Sequence, residues 1–196
     1  MDSTAIDRLR EDIVFESTLR GQRLKFHSTW GLFSPREVDE GSRLLLEHVA
    51  VNSGDDCLDL GCGYGPIGLT LARLGPQGRT LLVDKDFVAV ELAEKNARLN
   101  GIGNAESMLS NGFAHIPRDR RFDLVASNVP AKVGKELLQI LLHDARSRLK
   151  PGGRLYVVTV TGLRRFIERH CKDVFGNYEK LKQGKHYTVA LAARTG

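Results

Sequence analysis

The sequence predicts an α/β fold built on a doubly wound, mostly parallel sheet that is closed by an antiparallel C-terminal hairpin. Three observations carry that expectation. Short apolar runs alternate with stretches of helical pattern, so that most strands are followed by a crossover helix. A glycine-rich turn, "DLGCGYGPIG" at 59–68, joins the first such run to the first such helix. Two β-rich segments at 178–183 and 186–194 are joined tightly through Gly184, too little chain for a parallel crossover.

The elements follow in order. An N-terminal extension over 1–52 holds a hairpin-like apolar stretch, "RLKFHSTWGLFS" (23–34), and a helix, "REVDEGSRLLLEHVA" (36–50). The core, 53–196, begins with the strand "CLDL" (57–60), and the helix "GPIGLTLARLG" follows it. The strand "RTLLVD" (79–84) precedes the helix "FVAVELAEKNARLNG", whose apolar positions are Val88, Leu92 and Leu99 and whose stop is Gly101. "AESMLS" and "RFDLVASN" are further strands. A helix within "GKELLQILLHDARSRLKPGG" stops at Pro151-Gly152-Gly153, ahead of the β-branched run "RLYVVTV" and the helix "GLRRFIERHC". At 196 residues, 41% hydrophobic and 27% charged, the chain has the size of a single domain over 1–196 with a full sheet-and-helix core.

Composition narrows the classes. No run approaches the ~18 apolar residues of a bilayer span, and "MDSTAIDRLREDIVFEST" is too charged for a signal peptide, so a soluble, cytoplasmic protein is expected. Cys57, Cys62 and Cys171 lack zinc-ligand spacing and the histidines are scattered, so no metal and no disulfide framework are expected. The formal charge is +5, concentrated in clusters at 19–27, 118–121, 146–150, 164–172 and 180–186. Such clusters attract RNA, though solvated helix faces produce them as often.

In an open sheet of this kind the ligand crevice lies beyond the carboxyl ends of the strands. At the first of these ends, Gly61, Gly63 and Gly65 permit a tight turn and close approach of backbone to a ligand. Residues 63–68 satisfy the literal dinucleotide pattern G-x-G-x-x-G, which keeps a nicotinamide- or flavin-binding protein open as a reading. Asp59, two residues before Gly61, favours an ammonium over a pyrophosphate, unless it simply caps the turn. Asp84 ends the second strand, 23 residues after Gly61, where a carboxylate accepts the hydroxyls of a ribose in either class of cofactor.

Five segments in order, "GLFSPREVDEGSRLLLEHV", "DLGCGYGPIGL", "LVDKDFVAVELAEKNARLNG", "FDLVASNVP" and "LKPGGRLYVV", resemble the small-methyltransferase domain of the class I S-adenosyl-L-methionine-dependent methyltransferases. That domain is found in the guanine-N2 methyltransferases of ribosomal RNA, and the chain is most similar to the stand-alone, single-domain members. The resemblance implies a Rossmann-like, seven-stranded sheet with the cofactor across its carboxyl edge. It implies Asp59, Gly61 and Gly63 at the methionine part, Asp84 at the ribose, and Asn111 by the adenine amino group, where an Asp is more usual and where a plain turn former is the alternative. Lys85 or Phe113 would pack on the adenine. Phe33, Ser34 and Asp39 match the segment lining the methionine end, although for Phe33 and Trp30 a hydrophobic staple or lid packed on the core is the favoured reading over ligand contact.

"VASNVPAKVGKE" (125–136) holds the expected chemistry. Methyl transfer to an exocyclic amine requires near-attack alignment, and two acceptors, the side-chain oxygen of Asn128 and the carbonyl of Val129, could grip the amine's two hydrogens to give it. The family pattern is Asn-Pro-Pro followed by an aromatic or another apolar residue. This chain has Asn128-Val129-Pro130-Ala131, so Pro130 still biases Val129 toward an extended backbone while the restraint on Asn128 is gone. At Ala131 a stacking ring is missing, which leaves Trp30, Phe33 or Phe113 as the platform for a base. Lys132 and Lys135 are candidates for substrate phosphate or solvated lysines at a helix start. Three functions follow as expectations: an N-methyltransferase for guanine in RNA, one for a small molecule or a protein amide, or a cofactor-binding module without transfer activity.

Overall fold

The structure is a computed structural model and describes residues 3–130 and 133–196. Ala131 and Lys132 lie outside the described residues. Helix α1 (Ser3–Arg10) leads into an antiparallel hairpin of β1 (Ile13–Leu19) and β2 (Gln22–Ser28), followed by α2 (Glu40–His48). Then come β3 (Cys57–Leu60), α3 (Pro66–Leu74), β4 (Thr80–Asp84), α4 (Phe87–Leu99), β5 (Ala105–Leu109) and β6 (Phe122–Asn128). The chain closes with α5 (Lys135–Arg148), β7 (Leu149–Val160), α6 (Arg164–Phe175), β8 (Glu179–Gln183) and β9 (Tyr187–Ala193).

The seven core strands form one sheet in the order β5-β4-β3-β6-β7-β9-β8, with β9 alone antiparallel to its neighbours. The chain runs outward from β3 to β5 and then returns to place β6 on the other side of β3. A crevice therefore opens at the carboxyl ends of β3 and β6, where the strand order reverses. Every residue of β3 is buried, as a central strand covered on both faces requires. Cys57 faces the core shared with α2, α3, α4 and the hairpin, through Leu24, Phe26, Leu45 and Leu69. Leu58 and Leu60 face the second core, with Leu138 and Leu142 of α5 and Ile167 of α6. The three thiols are buried and unpaired with one another, and burial pushes Cys57 and Cys171 up to about 12.

Three sequence expectations are corrected. The hairpin spans 13–28, so only its second strand falls within "RLKFHSTWGLFS", and residues 29–38 form turns and bends. The helix expected from Arg36 starts at Glu40, because Asp39 takes an extended backbone and its carboxylate accepts from the Ser42 N–H. On α4, Val88 and Leu99 are exposed, and the buried face is Ala89, Leu92, Ala93, Asn96 and Ala97. Alanines allow the helix to lie close to β2, β4 and β5.

That closeness lets two side chains of α4 serve as a strand partner for β2. The Asn96 amide accepts from the His27 N–H (2.7 Å) and donates to the His27 carbonyl (2.9 Å). One turn later, Asn100 does the same with Lys25, at 2.9 and 2.8 Å. The spacings agree, since four helical residues rise ~6 Å and two strand residues ~6.7 Å. Asn96 is wholly buried and also donates to the Tyr64 carbonyl (2.9 Å), which couples the hairpin to the glycine turn. Asn96→Ala strands these backbone groups and is expected to destabilise the protein by about 2–4 kcal/mol. Asn100→Ala, at a half-buried position where water can replace the lost bonds to Lys25, should cost only ~1 kcal/mol. Urea denaturation checks the contrast, and equal losses would refute it.

Candidate functional site at the carboxyl edge of the sheet

The turn after β3 is held by main-chain bonds from Gly61 and Cys62 to the Val83 carbonyl, both 2.9 Å. Gly61 and Gly63 have positive φ, and a side chain built on either would meet nothing within 4 Å, so their backbone borders open space. Gly68 is small for a different reason. A Cβ there would stand 2.5 Å from Leu82, so this glycine lets α3 close on the sheet.

Asp59 lies under the turn, fully buried. One carboxylate oxygen accepts from the Gly68 N–H at 2.7 Å, and the other has no partner among the described residues. Burial pushes its pKa up to about 7, opposed by the Gly68 bond and reinforced by the nearby Asp84 carboxylate. Asp84, at the end of β4, accepts from the Gly63 N–H (2.9 Å) and the Asp86 N–H (3.0 Å). Both acids predicted from the sequence thus bind the same glycine-rich segment. Lys85 and Asn111 are exposed beyond β4 and β5, at the same edge. Phe113 differs from the expectation of a stacking face: it is 3% exposed and belongs to the core with Leu58, Leu60 and Val125.

The segment 29–39 closes on the turn through a residue the sequence reading did not single out. Tyr64 donates its hydroxyl to the carbonyls of Ser34 (3.1 Å) and Glu37 (3.0 Å), while its ring packs edge-on against Phe15 and Phe26. Ser34, with φ of +48°, bonds back to the Glu37 carbonyl. Phe33 is 70% exposed, so the favoured reading of core packing does not describe it. Trp30, 43% exposed, carries the Arg36 guanidinium over its ring at 4.6 Å.

Asn128 stands at the end of β6 across the crevice from the turn. Its amide nitrogen donates to an Asp39 carboxylate oxygen and to the Ser42 hydroxyl, both at 3.0 Å. No donor among the described residues reaches its amide oxygen, which leaves that acceptor for a ligand. Asp39, grouped from the sequence with the cofactor side, is therefore placed against Asn128. Val129 donates its N–H to the Val158 carbonyl at 2.9 Å, adding one rung to the β6–β7 ladder. A proline at 129 would have no N–H to make that bond. Ser127, just before, donates to the Leu60 carbonyl at 2.8 Å and so joins the ends of β6 and β3.

The basic clusters separate by sheet end. At the amino edge Lys150 bonds Asp123 (2.7 Å) and Asp56 (3.1 Å), Arg120 bonds Glu106 (3.0 Å), and Arg154 bonds Asp55. At the carboxyl edge, Arg164 and Arg165 open α6, and Lys182, Lys185 and His186 surround the β8–β9 turn. Among the described residues these five make no ion pair with a carboxylate.

Among the described residues, no group of three or more His, Cys, Asp or Glu is placed to hold a metal ion, and no helix is long and apolar enough to cross a membrane. An α/β sheet with a glycine turn and an acid at each of its first two strand ends defines a nucleoside-cofactor fold of the Rossmann-like kind. The chain belongs to the methyltransferase small domain family, whose model matches residues 23–191. It is 34% identical over 181 residues to the uncharacterized protein YbxB of Bacillus subtilis, covering 90% of this chain and 89% of that one. It is 30% identical to the ribosomal RNA large subunit methyltransferase G of Shewanella amazonensis, over 87% of this chain and 46% of that one. The solved 16S rRNA N2 methyltransferase RsmC of T. thermophilus, in complex with AdoMet and guanosine, superposes with a TM-score of 0.84 at 31% identity. That match covers 92% of this chain and 50% of the other, so this chain spans about half the length of either rRNA methyltransferase.

Proposed function

We propose that this chain is an S-adenosyl-L-methionine-dependent N-methyltransferase, a single catalytic domain that acts in the cytoplasm on the exocyclic amino group of a guanine in RNA, of the ribosomal kind. The observation that carries the reading is Asn128, whose amide nitrogen is held by Asp39 and Ser42 while its amide oxygen has no donor among the described residues. The names of the two rRNA methyltransferase relatives support the substrate class.

The residues present fit the cofactor. Asp59 has a buried carboxylate oxygen without a partner, suited to a nearby ammonium, and Gly61 and Gly63 border open space. Asp84 would hold the ribose, Lys85 and Asn111 would flank the adenine, and Phe33 and Ser34 would border the methionine end. The cofactor supplies an electrophilic methyl group on a sulfonium. Asn128 and the Val129 carbonyl accept the two hydrogens of the substrate amine, orient its lone pair, and stabilise the positive charge that grows on nitrogen. No general base is needed beforehand, because the nitrogen becomes acidic only after attack. Pro130 directs the Val129 carbonyl, and the exposed Phe33 ring offers the base a stacking surface in place of a ring at 131. Arg164, Arg165, Lys182 and Lys185 sit at the same edge as Asn128 and meet phosphates.

The test uses methyl-labelled S-adenosylmethionine with deproteinised ribosomal RNA, a protein fraction and a small-molecule fraction. Label in N2-methylguanosine after RNA digestion is the expected result. Label confined to protein or small molecules would overturn the substrate, and cofactor binding with no transfer to any fraction would reduce the chain to a binding module.

A further inference from the structure

The proposed chemistry depends on which end of the Asn128 amide faces the substrate, and the structure assigns that choice to Asp39: we infer that Asp39, helped by Ser42, is a positioning residue that locks Asn128 with its oxygen toward the crevice. The inference rests on the reading of Asn128 as the amine-gripping residue.

An asparagine amide has an acceptor end and a donor end of nearly the same shape, and its neighbours decide which way it points. Rotated by half a turn, Asn128 would present N–H groups to the hydrogens of the incoming amine and repel it. An ionised carboxylate only accepts hydrogen bonds, so with Asp39 at 3.0 Å the amide nitrogen must face it. Ser42 adds a second acceptor at 3.0 Å, so both amide hydrogens are engaged and the oxygen is left outward. Asp39 is itself fixed, as the N-cap of α2, through the same oxygen that takes the Ser42 N–H at 3.2 Å. The pocket around it is tight: a Cβ on Gly41 would meet both that oxygen and the Tyr187 ring at 2.9 Å.

The lock also answers what this chain lacks. With Val at 129, no proline ring restrains the backbone of Asn128. The Val129 rung holds the main chain and Asp39 holds the side chain, so two hydrogen-bonded restraints stand where a covalent one is absent.

Two substitutions separate the lock from the cap. Asp39→Ser keeps a good N-cap oxygen but is too short to reach Asn128. Asp39→Asn keeps the length, and its amide oxygen can take the place of the carboxylate oxygen that serves both partners. We expect Asp39→Ser to lower kcat roughly 10- to 100-fold, with the thermal midpoint and the KM for S-adenosylmethionine nearly unchanged. Asp39→Asn should stay within about threefold of the parent, and Asp39→Ser should have no further effect in an Asn128→Ala background. A second readout does not depend on turnover. The side-chain amide resonances of Asn128, assigned by their loss in Asn128→Ala, should shift in Asp39→Ser and hold in Asp39→Asn. Equal behaviour of the two Asp39 variants in kinetics, or an unmoved Asn128 resonance in Asp39→Ser, overturns the inference. If the parent protein methylates nothing, the proposed function falls while the resonances still decide whether Asp39 holds the amide.

Discussion

Asn128→Ala is expected to lower methyl transfer by about 10²- to 10³-fold while leaving the affinity for S-adenosylmethionine within about twofold. The size follows from the loss of one preorganised dipole aimed at the charge that develops on nitrogen. The selectivity follows from position: Asn128 ends β6, and the residues that would hold the cofactor end β3, β4 and β5. Single-turnover kinetics and calorimetric titration check the two halves separately. Unchanged turnover would remove Asn128 from the chemistry. A collapse of cofactor affinity would place it on the cofactor side instead.

Asp59→Asn should act in the opposite sense on binding and on stability. The folded-state pKa of Asp59 is raised to about 7 from an ordinary 3.8. Between those values the folded protein keeps a proton that the unfolded chain has released, so stability falls as pH rises through this window. Above pH 7 the empty protein carries the full cost of a buried, ionised carboxylate. Asparagine keeps the bond to the Gly68 N–H and removes the ionisation. The variant is therefore expected to be more stable than the parent by about 1–3 kcal/mol at pH 8, with the difference shrinking or reversing toward pH 5. Its affinity for S-adenosylmethionine should fall by at least about tenfold, because an amide N–H replaces the acceptor that an ammonium needs. Urea denaturation at the two pH values and titration with cofactor check both. A variant with parental affinity would show that Asp59 serves only the turn.

The sheet was legible because its strands are short apolar runs between helices, and that signal is local. The glycine turn and the acids Asp59 and Asp84 were legible because their spacing is local too. The N-terminal hairpin was misplaced because "IVFESTL" mixes apolar and polar residues on a half-covered ribbon, while the apolar letters after Phe26 belong to turns. Of the apolar positions read on α4, Leu92 is buried while Val88 and Leu99 point outward, because close packing fills the rest of the buried face with alanine and Asn96. Tyr64, Asn96 and the partnership of Asp39 with Asn128 had no sequence signal of their own. A buried asparagine has the same letter as an exposed one, and residues 89 positions apart leave no periodicity to read. Phe113 followed the same rule, since an aromatic after a strand packs inward as readily as it lines a cleft.

The extra rung at Val129 gives the site edge a property that a proline there would remove. A main-chain N–H exchanges its hydrogen with water only when its bond opens. The amide of Val129 therefore records, by the rate at which it takes up deuterium, how often the end of β6 parts from β7. The residue that loosens this edge relative to the family's proline also supplies a gauge of how loose it is.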